Sequence, residues 1–459
     1  MPTAARTVTL VVAATFVAAA CGTATERVVP ATDPATTAVK SVAPGSAGRS
    51  VEWTPCGTVQ CGTLDVPASH TDPAGPVLRI ALYRRAATAG APQGTLLLLP
   101  SFDGPSARQL AEQATVMVGP AARSLDVVAV SPRGFFDSSA LPCGVQTQWV
   151  ADAGRAAEIA GACVVDRGDT ATSLGLLDSA DDVERVVGAL GARRVKAVGW
   201  GRGATILAAW KMRNPASSSF VVLDSPDDPG IALARVASLN RTAEDAALAA
   251  TLMWCTSHIS CPLVENAAKR VGFVLEDIEA GTAGQVTESD FRLAFTRAMA
   301  TGDIGALFGA FASAEKGDFA PLAAFAGAAG SADEAAFAAR VAAACSDLSR
   351  EESTRIAADD AAFETPLFRV GTGATLPLIC ASMPGPVRPF SPVKPVAAAR
   401  GATVRVFVAA GDAVTSPLMV RAFAKRLDWE FTQVEATGHL VVGRDRAVTE
   451  AVSRFLAGE

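Results

Sequence analysis

The chain has 459 residues, half of them hydrophobic and 19% charged, with a formal net charge of −6 at pH 7. That length suffices for one large domain with an insertion or for two domains, and the apolar fraction calls for a sizeable core. The mild acidity supplies no basic surface, so nucleic acid is excluded as a leading partner.

At the start, Arg6 gives a positive n-region, and Val8 to Ala20 is an apolar run too short for a membrane span. The run ends Val17-Ala-Ala-Ala-Cys21-Gly22, small residues before a cysteine, as in a bacterial lipobox, although Ala18 stands where leucine is commoner. Cleavage there would leave Cys21 as a lipid-modified first residue on the outer face of the cell membrane. An ordinary signal peptide is the alternative, and both readings export the protein. Residues 22–50 are rich in Thr, Ala, Pro, Ser and Gly without apolar periodicity, which reads as a disordered linker.

The folded part opens at Trp53. Gly62–Pro67 and Val77–Tyr83 alternate like two antiparallel strands joined by a turn-rich Ala68–Pro76. Gly94–Pro100 is a continuous apolar run, the pattern of a strand buried on both faces, and Ser101-Phe102-Asp103-Gly104 begins the loop after it. Leu125–Pro132 is a second buried strand, and Ala180–Leu190 has helical periodicity. A β-branched run, Val195–Val198, then meets three alternate glycines, Gly199, Gly201 and Gly203, followed by a helical pattern with Ile206, Leu207 and Trp210 on one face. Phe220–Asp224 is the next strand.

From about Pro229 to Thr375 the chain is Ala-rich and helical, with Ala246–Trp254, Ala268–Ile278, Thr287–Met299 and Glu334–Leu348 as the better helix candidates. Strand and helix signals return at Ala402–Ala410, Ser416–Leu427, Glu430–Glu435 and Arg446–Leu456. Alternating strands and helices predict an α/β protein with a mostly parallel central sheet and helices on both faces. Its core would comprise residues 51–228 and 376–459, and residues 229–375 would form an inserted helical cap.

Setting Cys21 aside, eight cysteines remain, an even number that suits disulfides in an exported protein. Proximity favours Cys56–Cys61, Cys143–Cys163, Cys255–Cys261 and Cys345–Cys380, although many other connectivities are open. The cysteines and three histidines show no metal-ligand spacing, and no metal or other cofactor is expected.

Strand, sharp turn and helix around Gly201 are the setting of the G-x-S-x-G nucleophile elbow of the α/β-hydrolase fold. The outer glycines are where strand and helix come close; the middle position should carry the nucleophile and is glycine. Asp412 and His439 follow in the chain order of acid and base, each at the end of a late strand. No serine or cysteine lies between Asp182 and Ser217, and Thr205 falls inside the helix.

From Trp53 to the end the chain resembles the secreted tripeptidyl-aminopeptidase-type α/β-hydrolases of actinobacteria. The resemblance is carried by Trp53-Thr-Pro-Cys56, Cys61-Gly-Thr-Leu-Asp-Val-Pro67, Pro132-Arg-Gly134 with Cys143, and Gly199-x-x-x-Gly203. Further matches are Val222-Leu-Asp224 with Asp228-Pro229, Cys345-Ser-Asp347, Asp412-x-x-Thr415 with Pro417, and Gly438-His439. It implies a serine hydrolase that releases short peptides from free N-termini or cleaves small amides and esters. The departures touch the chemistry. The nucleophile position is Gly201, and Arg202 replaces the aromatic residue that often follows. Ser101-Phe102-Asp103-Gly104 replaces the Gly-Gly-Pro-Gly oxyanion loop, and Ser131 and Phe136 stand at altered positions around Pro-Arg-Gly.

Removing the serine of a comparable triad costs on the order of a millionfold in turnover. The leading expectation is therefore a protein that has lost serine catalysis and binds a short peptide or small apolar ligand between sheet and cap, as a monomer. Two alternatives stay open: a hydrolase using Asp412 and His439 with a different nucleophile or a water, and a cell-envelope interaction protein with a vestigial pocket. Trp200 and Arg202 join the 101–104 loop as pocket candidates. Arg202 would either bind a carboxylate or be salt-bridged, with Asp103 as a partner, and His70 and His258 read as ordinary surface residues.

Overall fold

The apolar runs become inner strands because both faces of one sheet are covered by helices. The computed structural model of the protein describes residues 50–102, 104–135, 137–139, 153–164, 168–327, 331–362 and 375–459. The expected signal segment with Cys21, the linker, Asp103, Phe136 and Cys143 lie outside these residues. Nine strands form the sheet: β1 (Thr54–Cys56), β2 (Val59–Ser69), β3 (Asp72–Arg85), β4 (Thr95–Leu99), β5 (Asp126–Val130), β6 (Val195–Trp200), β7 (Ser218–Asp224), β8 (Val404–Gly411) and β9 (Glu430–Thr437). Their order is β1-β2-β3-β5-β4-β6-β7-β8-β9. The first three strands are antiparallel, and from β5 to β9 every pairing is parallel.

Period-two alternation divides the strand side chains between two cores. Leu97, Leu99, Val128, Val221 and Val406 pack on one side, and Leu96, Leu98, Val127, Val198 and Phe407 on the other. The helices of the first half are α1 (Ala107–Glu112), α2 (Ala114–Val118), α3 (Ala153–Val164), α4 (Leu176–Ala189) and α5 (Arg202–Arg213). Val183, Val186, Ile206, Leu207 and the fully buried Trp210 cover the first side. Leu110 and Val118 help cover the second. With its parallel order, its helices on both faces and a strand–turn–helix at the centre, this is the α/β-hydrolase fold.

The insertion between β7 and β8 has two parts. Helices α6 (Leu233–Ser257), α7 (Ala267–Glu279), α8 (Glu288–Thr301), α9 (Ile304–Ala314) and α10 (Ala320–Gly327) enclose a core of their own, with Phe291, Phe295, Phe308 and Phe311 at its centre. After them come α11 (Ser331–Asp347), α12 (Arg350–Ala361) and α13 (Thr375–Ser382). Phe337, Val341 and Cys345 of α11 and Ile379 and Cys380 of α13 belong to the core of the sheet instead, beside Ala156 and Ile159 of α3. The chain closes with α14 (Pro417–Arg426) and α15 (Arg446–Ala457). Cys56–Cys61, Cys255–Cys261 and Cys345–Cys380 are disulfide-bonded.

Two expectations need correction. The turn expected over Ala68–Pro76 is mostly strand: Ser69 pairs with Asp72, so the hairpin turns at His70 and Thr71 after a register shift between Pro67 and Ser69. His70 is also not a surface residue. Its Nε2 lies 2.7 Å from Asp182 Oδ1, and its side chain is only 13% exposed. Asp182 is shared with Arg133, which is fully buried and donates to both carboxylate oxygens at 2.6 and 2.7 Å, and to the carbonyls of Pro67, Ala68 and Ser173. The Arg133 of the Pro-Arg-Gly motif therefore ties the β2–β3 hairpin and the approach to α4 to one carboxylate. His258, by contrast, is exposed and stacks on Trp254.

Candidate active site

β6 ends at a residue whose backbone only glycine adopts cheaply. Gly201 has φ +47° and ψ −114° and caps the N-terminus of α5. Its N–H donates to the Asp224 carbonyl at 2.8 Å, and its own carbonyl accepts from Thr205 N at 3.0 Å. The flanking glycines are needed for space. A Cβ on Gly199 would lie 2.7 Å from Ala204 N and from the Gly203 carbonyl group. One on Gly203 would overlap the Leu99 carbonyl oxygen and lie 2.6 Å from the Pro100 oxygen. Those obstacles are backbone and cannot swing aside. Gly203→Ala is therefore expected to destabilise the protein by about 3 kcal/mol, the upper range for overpacking, measured as a urea-midpoint shift; a change below about 0.5 kcal/mol would mean the helix does not seat this closely.

A Cβ on Gly201 would point at reactive groups. It would lie 3.1 Å from His439 Nε2 and would overlap Ser101 Oγ, with Ser101 Cβ at 3.1 Å. The elbow thus keeps the aim of a nucleophile position on the imidazole, and the hydroxyl of Ser101, buried at the end of β4, stands in that space.

Behind the imidazole, Asp412 Oδ1 and Oδ2 lie 3.1 and 3.0 Å from His439 Nδ1, and both side chains are at most 3% exposed. Asp412 follows β8 and accepts the N–H groups of Val414 and Thr415 at 2.9 Å each. These bonds fix the carboxylate, which in turn orients the ring and supports its charged form. The turn bearing His439 is held on several sides. Its N–H donates to the Ala300 carbonyl near the end of α8 at 2.7 Å, and Arg444 bonds its carbonyl at 2.7 Å and that of Thr301 at 3.0 Å. The insertion therefore grips the histidine directly.

Asp224, at the end of β7, accepts the N–H groups of Val441 and Val442 at 2.8 Å each. Burial pushes its carboxyl up to about 7 against the pull of those two donors. Trp200 is packed in the core and donates its indole N–H to the Val442 carbonyl at 3.0 Å, so it positions the histidine turn rather than lining a pocket. Asp224 and Arg444 were missed as site supports. Asp224 stood in view as a polar residue at the end of an apolar strand, whereas nothing local marks Arg444.

Arg202 is the salt-bridged arginine of the two readings and pairs with Asp347, 2.8 Å away. Asp347 also caps Leu176 N at 2.7 Å, and burial raises its carboxyl even with Arg202 beside it. Ser346 Oγ accepts Leu174 N at 2.9 Å, so the Cys345-Ser-Asp motif clamps α11 to the start of α4 and to the elbow. Phe102 stacks on Phe135 with centroids 4.5 Å apart, and Gly104 lies beside Ser101 and Leu440. Among the described residues no group of three or more His, Cys, Asp or Glu side chains is placed to hold a metal ion.

No protein-family model matches the chain. It is 27% identical over 262 residues to the serine protease Hip1 of Mycobacterium tuberculosis (strain H37Rv), and equally to that of Mycobacterium bovis; the match covers 49% of this chain and 48% of the relative. The matched region thus spans about half the length of these curated relatives. Among solved structures, similar chains include a probable hydrolytic enzyme of Pseudomonas aeruginosa (12% identity, 90% of this chain and 99% of that one, TM-score 0.39). Another is the enol-lactonase of Burkholderia xenovorans (13% identity, 83% and 97%, TM-score 0.39).

Proposed function

We propose that the protein is an exported acyl hydrolase of the peptidase and esterase kind that works through Asp412 and His439 without a nucleophile at position 201. The observation that carries this reading is the placement of His439 Nε2, 3.1 Å from the point to which an elbow side chain projects, with Asp412 fixed behind the ring. A buried acid–base pair aimed at the elbow is what acyl transfer uses: the imidazole takes a proton from the attacking oxygen and returns it to the leaving amine or alcohol. The substrate class follows from the tripeptidyl-aminopeptidase resemblance and from the partial match to a serine protease. Short peptides and small acyl esters are the expected substrates. The three disulfides within the described residues support export, since such bonds persist in oxidising compartments, and attachment to the outer face of the membrane would run through Cys21. Among the described residues no helix is long and apolar enough to cross a membrane.

Turnover of tripeptide anilides and short acyl esters by the purified protein tests the reading. Asp412→Asn is expected to lower turnover by about 10³–10⁴-fold while leaving the fold intact, because an amide N–H facing Nδ1 holds the ring in the wrong tautomer. A protein that turns over none of these substrates, yet is stabilised thermally by short peptides, would favour the second reading, a binding protein relieved of catalysis. That reading is favoured by the absence of a hydroxyl at Gly201 itself.

A further inference from the structure

We propose that Ser101 supplies the nucleophilic hydroxyl that the elbow lacks. The proposal rests on the hydrolase reading above and deepens it. Ser101 follows Pro100 at the end of β4, the strand beside β6 in the sheet, with Leu99 in register with Gly199. Parallel pairing therefore delivers residue 101 to the same sheet end as residue 201. Ser101 is buried, and its Oγ would overlap the Cβ of any residue at 201. That Cβ position is 3.1 Å from His439 Nε2, so hydroxyl and imidazole border one small volume. The two positions are sterically exclusive as they stand: the hydroxyl occupies this place because residue 201 carries no side chain. Both groups touch that one position, so the hydroxyl lies within a side chain's reach of the imidazole nitrogen.

The chemistry balances with these groups and water. Ser101 Oγ attacks the substrate carbonyl as His439 Nε2 takes the hydroxyl proton, giving a tetrahedral adduct. The adduct collapses, the proton passes from His439 to the departing amine or alcohol, and the acyl group remains as an ester on Ser101. A water then attacks that ester, giving its proton to His439. The acid leaves, and the proton returns to Ser101 Oγ. Asp412 keeps the ring oriented throughout and supports its positive charge.

A fluorophosphonate probe followed by peptide mapping tests the assignment, alongside ester turnover by the same preparations. The expected result is an adduct on Ser101 that is absent from Ser101→Ala and from His439→Ala, with turnover by Ser101→Ala down ~10³-fold or more at an unchanged melting temperature. The double variant Ser101→Gly/Gly201→Ser is expected to recover labelling, with the adduct moved to position 201, because the space freed at one position admits the side chain at the other. Turnover lost in His439→Ala but retained in Ser101→Ala would overturn Ser101 as nucleophile and leave the hydrolase reading standing with an activated water. An adduct elsewhere in the wild-type protein would also overturn it. No labelling and no turnover in the wild type would overturn both.

Discussion

His439→Ala is expected to reduce turnover of anilide and ester substrates by on the order of 10⁴-fold or more, the largest effect of any single change in the site. The imidazole is the base the geometry aims at the elbow, and it acts twice, taking the proton from the attacking oxygen and delivering it to the leaving group. The variant should fold normally. The contacts that hold the turn are the backbone N–H of residue 439 to the Ala300 carbonyl, Arg444 to the 439 carbonyl, and Asp224 to Val441 and Val442, and none uses the ring. Asp412 loses the ring but keeps its two backbone donors. Circular dichroism and melting should therefore match the wild type closely while kcat collapses. Turnover unchanged in the variant would trace the activity to a contaminant.

Arg133→Ala is expected to cost about 3–5 kcal/mol of stability, because it leaves the buried Asp182 carboxylate facing His70 alone and unbinds three carbonyls. The double replacement Arg133→Met/Asp182→Leu should cost much less, since it removes both charges from the interior. The pH dependence has a definite sign. Burial alone would raise the Asp182 carboxyl, but Arg133 and His70 outweigh it and hold it below the ordinary value. A depressed carboxyl stabilises the fold above its unfolded value, near 4, and that contribution is lost as pH falls through the lowered folded value. Urea unfolding at pH 7 and again near pH 3 should show the gap between wild type and Arg133→Ala narrowing in acid. A gap that widened would place the charge elsewhere.

The helical insertion was legible in outline only. Ala268–Ile278 gave α7 to within one residue at each end, whereas Ala246–Trp254 marked only the later part of α6. Ile304–Ala314 and Ala320–Gly327 went unmarked because they are Ala-rich and apolar with little polar contrast, and periodicity needs that contrast. Residues 229–375 also read as one cap, although α11 belongs to the core of the sheet. Its alanines and cysteine suit either neighbour, and only packing assigns them.

The sequence by itself determined the fold, the elbow and the chain order of its acid and base. These are written in local patterns: apolar runs for buried strands, alternate glycines for a tight strand–helix turn, and Asp412 and His439 at the ends of late strands. It places no serine or cysteine between Asp182 and Ser217, on either side of Gly201. Tertiary structure decided which groups meet. Ser101, Asp347 and Ala300 reach the elbow, Arg202 and His439 from distant segments, through parallel strand register and the seating of α8 and α11. Adjacent parallel strands end side by side however far apart they lie in sequence, so the hydroxyl beside Gly201 came from β4, about a hundred residues away, where no periodicity could announce it.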